Sequence, residues 1–531
     1  MKSKIVASLF GLILIVSILS YSYSTDITDY SGNGNNGNQV RETNQFIIAD
    51  GGAYQKFTNL VDGYSISVDK GAVVDMSMSE VCTVLETQDK RIEIYKQPIT
   101  GNVSRQSYIN YSNGFLDNRI DHKNINKSTK TIRGINVTIT EWSRDKLARV
   151  ENDKNHYASI EIPVGGYVYS IFVKSSQPLN HTGGYQYLIN SFETFTPTER
   201  AYMRKAKPLD VDTRGWNAET RQLYLEYFSG DSSLQWGIFE PAAPDSFHQL
   251  AVIEEAVDFT FPFLLSYTHF TDRDHHPALK QRLENAYNQN RVLELTLQTP
   301  WTSDGSGNMV YQVLNGKYDT FLKNYATTVA EFGHPVLFRL GNEMNGDWCP
   351  YSSYNTSKDT MIFKEFYWYV YDIFEKAGAN NVIWVWNPNG TSFPNFKWND
   401  ANMYYPGDEY VDVIGLTAYN TGTYYPGETW TEFHDLYDSL YEEYNRLYDK
   451  PMMITEFASS SVGGDKAQWI RNMFSHIGKY ENIKIAIWWD GSDRDAAGNI
   501  ARPYFIDEFP EILEIFREYL NKKPWYVDVY G

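Results

Sequence analysis

A chain of 531 residues with 66 acidic and 47 basic side chains carries a formal charge of −19. That balance excludes nucleic acid and anionic membranes as natural partners, because their surfaces attract basic faces. Two cysteines, Cys82 and Cys349, exclude a disulfide framework, and the length allows two domains. The 41 Tyr and 14 Trp supply ring faces of the kind on which sugars stack, although core packing accounts for most such residues.

Taken in order, the chain opens with Lys2 and Lys4, an apolar run over 5–19, and then Ser20, Ser22 and Ser24. This layout predicts a secretory signal, residues 1–24. The apolar run is short for a spanning helix, so no stable membrane insertion is expected after cleavage, and the protein is expected to be secreted or extracellular, with association at the cell surface left open. Residues 25–44, with N-G-N-N-G-N, read as a flexible linker. From 45 to 198 the pattern predicts strands at 64–68, 91–95, 137–142 and 157–173, interrupted by amphipathic segments near 104–116 and 185–195. The order suggests a small α+β domain with an antiparallel sheet. It shows no catalytic signature and is read as an accessory domain that either binds glycan or acts as a spacer.

Beyond residue 198 the texture changes to short apolar runs alternating with amphipathic helices. Candidate strands are 234–239, 259–267, 292–298, 336–340, 382–386, 411–418, 452–457 and 483–489. Between the sixth and seventh lies a helix whose Phe433, Leu436, Tyr437, Leu440, Tyr444 and Leu447 share one face. Pro277 suits a first helical turn, with Asp274 as a candidate cap. Eight such repeats over 200–531 predict an α/β fold, a (β/α)8 TIM barrel with its own core, able to fold and work without the smaller N-terminal α+β domain. An open doubly wound sheet is the alternative, but the first strand ends G-I-F-E-P, without a glycine-rich phosphate loop.

Two of the predicted strands end in carboxylates. P-V-L-F-R-L-G-N-E-M-N-G-D-W (335–348) releases Glu343, and P-M-M-I-T-E-F-A (451–458) releases Glu456. In one parallel barrel both would meet at the C-terminal rim, where paired carboxylates suit glycoside hydrolysis. Taken singly, each could instead cap a helix or pair with a base such as Arg339. The absence of G-x-S-x-G and H-E-x-x-H from the sequence argues against an α/β-hydrolase and a zinc protease, and no metal or cofactor is expected.

R-L-G-N-E-M-N-G-D-W, Y-Y-P-G-D-E-Y-V-D-V-I-G-L-T-A-Y-N (404–420) and M-I-T-E-F-A resemble glycoside hydrolase family 26, within clan A of the retaining (β/α)8 hydrolases, over roughly 234–518. The resemblance implies a secreted, retaining, endo-acting enzyme on a β-linked polysaccharide, with Glu343 as general acid/base and Glu456 as nucleophile. Such a mechanism holds the two carboxyl groups about 5 Å apart. Tyr419 is then placed to donate to the nucleophile, Asn342 to bind a sugar 2-hydroxyl, and Arg339 to keep Glu456 charged. Trp488, favoured over Trp489, should floor the scissile subsite, and His269, Trp301, Trp348, Trp386 and Asn420 should line the cleft. Glu240, Asp347, Glu428 and Asp490 are further acids near the rim. Family mannanases usually carry His before the acid/base and Trp residues after the conserved one. Here Asn342 and Cys349, Pro350 and Tyr351 stand in those places, which opens mixed-linkage β-glucan, β-1,3-xylan or an exopolysaccharide, including the cell's own, beside mannan. The competing reading is a non-catalytic glycan-binding barrel at the cell surface. The protein is expected to act as a monomer.

Overall fold

The protein is described here from a computed structural model, over residues 40–179, 184–271, 276–302 and 305–522. The predicted signal segment, most of the predicted linker and the Asp274 cap lie outside these residues. Eight parallel strands close a barrel in sequence order: β1 (Gln235–Phe239), β2 (Phe263–His269), β3 (Val292–Gln298), β4 (Val336–Leu340), β5 (Val382–Trp386), β6 (Val413–Thr417), β7 (Met452–Phe457) and β8 (Ile483–Trp489). Alternation along each strand sorts the side chains. Phe263, Leu265, Leu337, Ile383, Val385, Val413, Met453, Ile485 and Ile487 fill the interior, while neighbours such as Leu295, Phe338 and Trp384 face the helices. The helix Phe433–Leu447 buries Phe433, Tyr437, Leu440, Tyr444 and Leu447 as its spacing predicts. Among the described residues no helix is long and apolar enough to cross a membrane.

The N-terminal region is a pair of antiparallel sheets, one of five strands and one of seven. Val40–Glu42 pairs with Phe46–Gly51, so the last residues assigned to the flexible linker are sheet. The run 157–173 is not one strand but a hairpin, His156–Val164 and Tyr167–Ser175, turning at Gly165 and Gly166. A two-residue turn needs positive φ, and Gly165 supplies it at 58°. One face of the seven-stranded sheet, with Ile92, Ile94, Ile139, Ile160 and Ile171, packs on Phe46, Phe57, Tyr64 and Ile66 of the other sheet. Its opposite face carries Tyr95, Trp142, Tyr157 and Phe172, which join the apolar core of the barrel's outer layer.

That second face makes the barrel's core a shared one. Charges are buried in the seam with their partners. Lys174 reaches Glu93 at 2.8 Å and Asp359 at 2.5 Å, Lys358 lies 3.3 Å from Glu161, and Trp398 donates to Ser112 at 3.0 Å. Cutting the chain at residue 200 would expose this face and strip Lys358 and Asp359 of their partners, so the barrel is not the self-contained unit its strand count suggests. Both cysteines are buried and free.

Candidate active site

Glu456 lies on β7 where the ladder slips register between Ile454 and Phe457. In an unbroken strand Thr455 and Glu456 would face opposite sides. Here Thr455 bonds Thr417 on the neighbouring inward position at 3.0 Å, and Glu456 also turns to the axis, the re-aiming that a bulge produces. Its Oε1 accepts from Arg339 Nη1 at 2.9 Å and Asn342 Nδ2 at 3.2 Å. Its Oε2 accepts from Tyr267 at 2.5 Å and Tyr419 at 3.0 Å. Four donors therefore clasp one carboxylate.

Glu343 follows β4 in a turn opened by Gly341. Both residues have positive φ, 59° for Gly341 and 54° for Glu343. A non-glycine residue in that region is uncommon, and such strain gathers at functional sites. The turn is held by Glu343 N donating to Asn387 O at 2.8 Å. The Glu343 carboxyl accepts from Asn389 Nδ2 at 2.6 Å and Trp348 Nε1 at 3.2 Å. Burial, then the negative charge of Glu456, push its pKa up to about 7, against the weaker opposing pull of those two donors. Among the described residues no cation forms an ion pair with it.

Beneath the mouth a third carboxyl, Glu294 of β3, points into the barrel with no exposed surface. Arg339 Nε lies 3.0 Å from Glu294 Oε1 but spends its hydrogen on Thr296 Oγ1 at 2.8 Å, so neither Glu294 oxygen receives a hydrogen bond. Burial raises Glu294 to about 8 despite Arg339. A neutral carboxylic acid under the mouth leaves the Arg339 charge to Glu456.

The structure gathers Arg339, Asn342, Tyr419, Glu343, Glu456 and Trp348 at one rim. His269 ends β2 with an exposed side chain. Trp301 is 59% exposed and donates to Trp348 O at 3.0 Å. Trp488 does not belong with them. It has no exposed surface, donates to Tyr504 O and packs on Phe457, Trp469 and Phe516. Inward positions on β8 run Ile485, Ile487, Trp489, so Trp489 is the tryptophan at the mouth, stacked on Phe239 and donating to Tyr267 at 3.2 Å. Trp386 likewise faces outward among Tyr405, Tyr444 and Tyr448, and Asn420 is buried against Ser459. The additional acids have structural partners: Glu240 accepts from Ala242 N and Ala243 N, Asp347 from Tyr111 of the N-terminal region, Glu428 from Arg502 and Asp490 from Ile506 N.

Tyr267, Glu294, Asn387 and Asn389 are site residues that pattern reading missed, and Trp489 is the alternative it ranked second. Tyr267 and Trp489 end predicted strands on the inward phase, a signal that was present. Asn387 and Asn389 sit in N-P-N-G directly after β5. Glu294 looks like a flaw in an apolar strand.

The chain thus falls among parallel (β/α)8 barrels that bring a carboxylate pair to the C-terminal mouth. Residues 281–486 match the model of Glycosyl hydrolase family 26, so the resemblance to that family holds over this part of the barrel. Endoglucanase H of Acetivibrio thermocellus is 32% identical over 44% of this chain and 24% of its own length. A mannan endo-1,4-beta-mannosidase of Bacillus subtilis is 33% identical over 25% of this chain and 33% of its own. The chain therefore spans only a quarter to a third of these relatives. A solved Cellulomonas fimi endo-beta-1,4-mannanase double mutant aligns at a TM-score of 0.45 and 19% identity, over 60% of this chain and 77% of its own.

Proposed function

We propose that the protein is a retaining β-glycoside hydrolase that cleaves a β-linked polysaccharide internally, using Glu456 and Glu343 in a double displacement. The observation that carries this reading is the unequal treatment of the pair: Glu456 is clasped by four donors, while Glu343 is raised to about 7. A double displacement needs that division. Glu456 attacks the anomeric carbon as Glu343 gives its proton to the departing glycosidic oxygen, leaving a covalent glycosyl-enzyme. Glu343, now a carboxylate, takes a proton from water, whose oxygen displaces Glu456 and restores both groups. Tyr267 and Tyr419 position the nucleophile, and Trp489 offers a ring face beside it.

The family match and the names of the relatives, an endoglucanase and a mannan endo-1,4-beta-mannosidase, support a neutral β-glycan as substrate. The predicted signal supports action outside the cell. The test is a screen of the purified protein on mannan, mixed-linkage β-glucan, β-1,3-xylan and exopolysaccharide, with product sizing and anomer analysis. Internal cleavage with retention is expected. Inversion at the anomeric centre, or no cleavage of any polymer, would overturn the reading.

A further inference from the structure

A second concave site lies where the N-terminal region meets the barrel. Phe115, Asn118 and Ile120 on one side, and Trp301, Asn308 and Tyr354 on the other, border a cavity of about 350 Å³, within the range of small-ligand sites. Its walls are braced. Asp121 accepts from Asn308 N at 2.8 Å and from Asn118 at 2.6 Å, Asn308 donates to Pro350 O at 2.7 Å, and Asn355 donates to Asp347 O at 2.8 Å and Cys349 O at 2.9 Å.

Three features define what it would hold. In a chain with a charge of −19, the described lining residues carry no charge and the adjacent Asp121 is taken up by Asn308 N and Asn118, so the described walls offer a ligand no ionic partner. The lining mixes ring and aliphatic surface, from Phe115, Ile120, Trp301 and Tyr354, with amide and main-chain polar groups, the pairing that suits a sugar's apolar faces and hydroxyl edge. Finally, the cavity is joined to the active site by tryptophans. Trp301 bonds the carbonyl of Trp348, and the Trp348 indole bonds Glu343. Their N–H groups are spent on protein while the rings stay 59% and 42% exposed.

We propose that this cavity is a distal sugar subsite of the same cleft, with the N-terminal region supplying one wall through Phe115 and Ile120. It rests on the reading of the barrel as a β-glycan hydrolase and gives the accessory region a part in binding polymer. Ile120 is 55% exposed, so Ile120→Arg should fold while narrowing and charging that wall. Against wild type, the variant should lose about two- to twelvefold in kcat/KM on polymer, the range of one aromatic-type contact, through KM. It should turn over a short aryl β-glycoside, which does not reach the cavity, within about twofold of wild type. Equal effects on both substrates, or no effect on polymer, would overturn the subsite. A binding arm separates this from the catalytic reading. Glu456→Ala, titrated with oligosaccharides of increasing length, should gain affinity at the length that reaches the cavity, and Ile120→Arg should abolish that gain. Should wild type cleave no polymer, the catalytic reading fails while this length step still decides the subsite: its presence supports it and its absence overturns it.

Discussion

Two regions of this molecule bury carboxylates, and they treat them in opposite ways. In and beneath the N-terminal sheet, Glu93, Asp153, Glu161 and Asp359 lie against Arg91, Arg144, Lys174 and Lys358, each acid within reach of a cation. At the barrel mouth Glu294, Glu343 and Glu456 share Arg339 as their one cation among the described residues. Burial would raise Glu93, but Lys174 and Arg91 outweigh it and hold the carboxyl at about 2. Here burial outweighs the pull of Arg339, and Glu343 rises to about 7 and Glu294 to about 8. The seam spends its charges on holding two layers together. The mouth holds two of its three acids with pKa values raised toward neutrality, which makes proton transfer near neutral pH accessible.

The sharpest way to break this comparison is to remove the acids at the mouth. Glu456→Ala should abolish turnover, and Glu343→Ala should lower it about 10²- to 10⁴-fold on natural polymer. Glu343→Ala should unfold at or above the wild-type temperature, since it removes a buried acid crowded by Glu456, whereas Glu456→Ala leaves Arg339 facing only Glu294 and should unfold somewhat lower. On an aryl β-glycoside with a good leaving group, azide should rescue Glu343→Ala to the β-glycosyl azide and Glu456→Ala to the α-glycosyl azide. Swapped anomers would reverse the roles, and a large loss of stability would mean that the mouth is built like the seam.

At the seam the expected effect falls on folding instead. Lys174→Met leaves Glu93 and Asp359 buried without their shared cation and should cost about 3–5 kcal/mol in denaturant unfolding. The fragment 200–531 should be insoluble or molten, whereas a soluble, active fragment would show the shared core to be dispensable.

A comparable pair tests the two faces of β8. Trp488→Ala should cost about 3–5 kcal/mol of stability, as large buried truncations do, with kcat/KM of the folded protein little changed. Trp489→Ala should do the reverse, losing activity with a smaller change in stability; measuring both quantities on both variants decides it.

Smaller effects should appear with pH. Activity should fall above about 7, as Glu343 loses the proton it must donate. For stability the signs oppose. Glu294 is raised from 4.5 to about 8, so its contribution is full below 4.5 and drains away as pH climbs through 8. Glu93 is lowered from 4.5 to about 2, so its contribution is full above 4.5 and drains away as pH falls through 2. Glu294→Gln should flatten the alkaline loss alone, and Glu93→Gln the acid loss alone; denaturant midpoints across pH would reveal any crossover.

Much of this architecture is written locally. The eight strands lie within a few residues of where the apolar runs place them, and β3, β4, β5, β7 and β8 coincide with those runs, because a strand buried on both faces needs an unbroken apolar stretch. Polar groups at the ends of apolar runs sufficed to place Glu343, Glu456, Arg339 and Tyr419 near one rim. Three things were decided only in three dimensions. A run such as Trp488-Trp489 carries no phase of its own, and the barrel's register sends Trp488 outward. The slip in β7 that turns both Thr455 and Glu456 to the axis leaves no mark in M-M-I-T-E-F, since a bulge is a relation between strands. The polar phase of the seven-stranded sheet, with Glu93, Glu161 and Lys174, has the pattern of a solvated face. It is buried because Lys358 and Asp359, roughly two hundred residues further along the chain, arrive with the opposite charges, and local sequence cannot state a complementarity held across that distance.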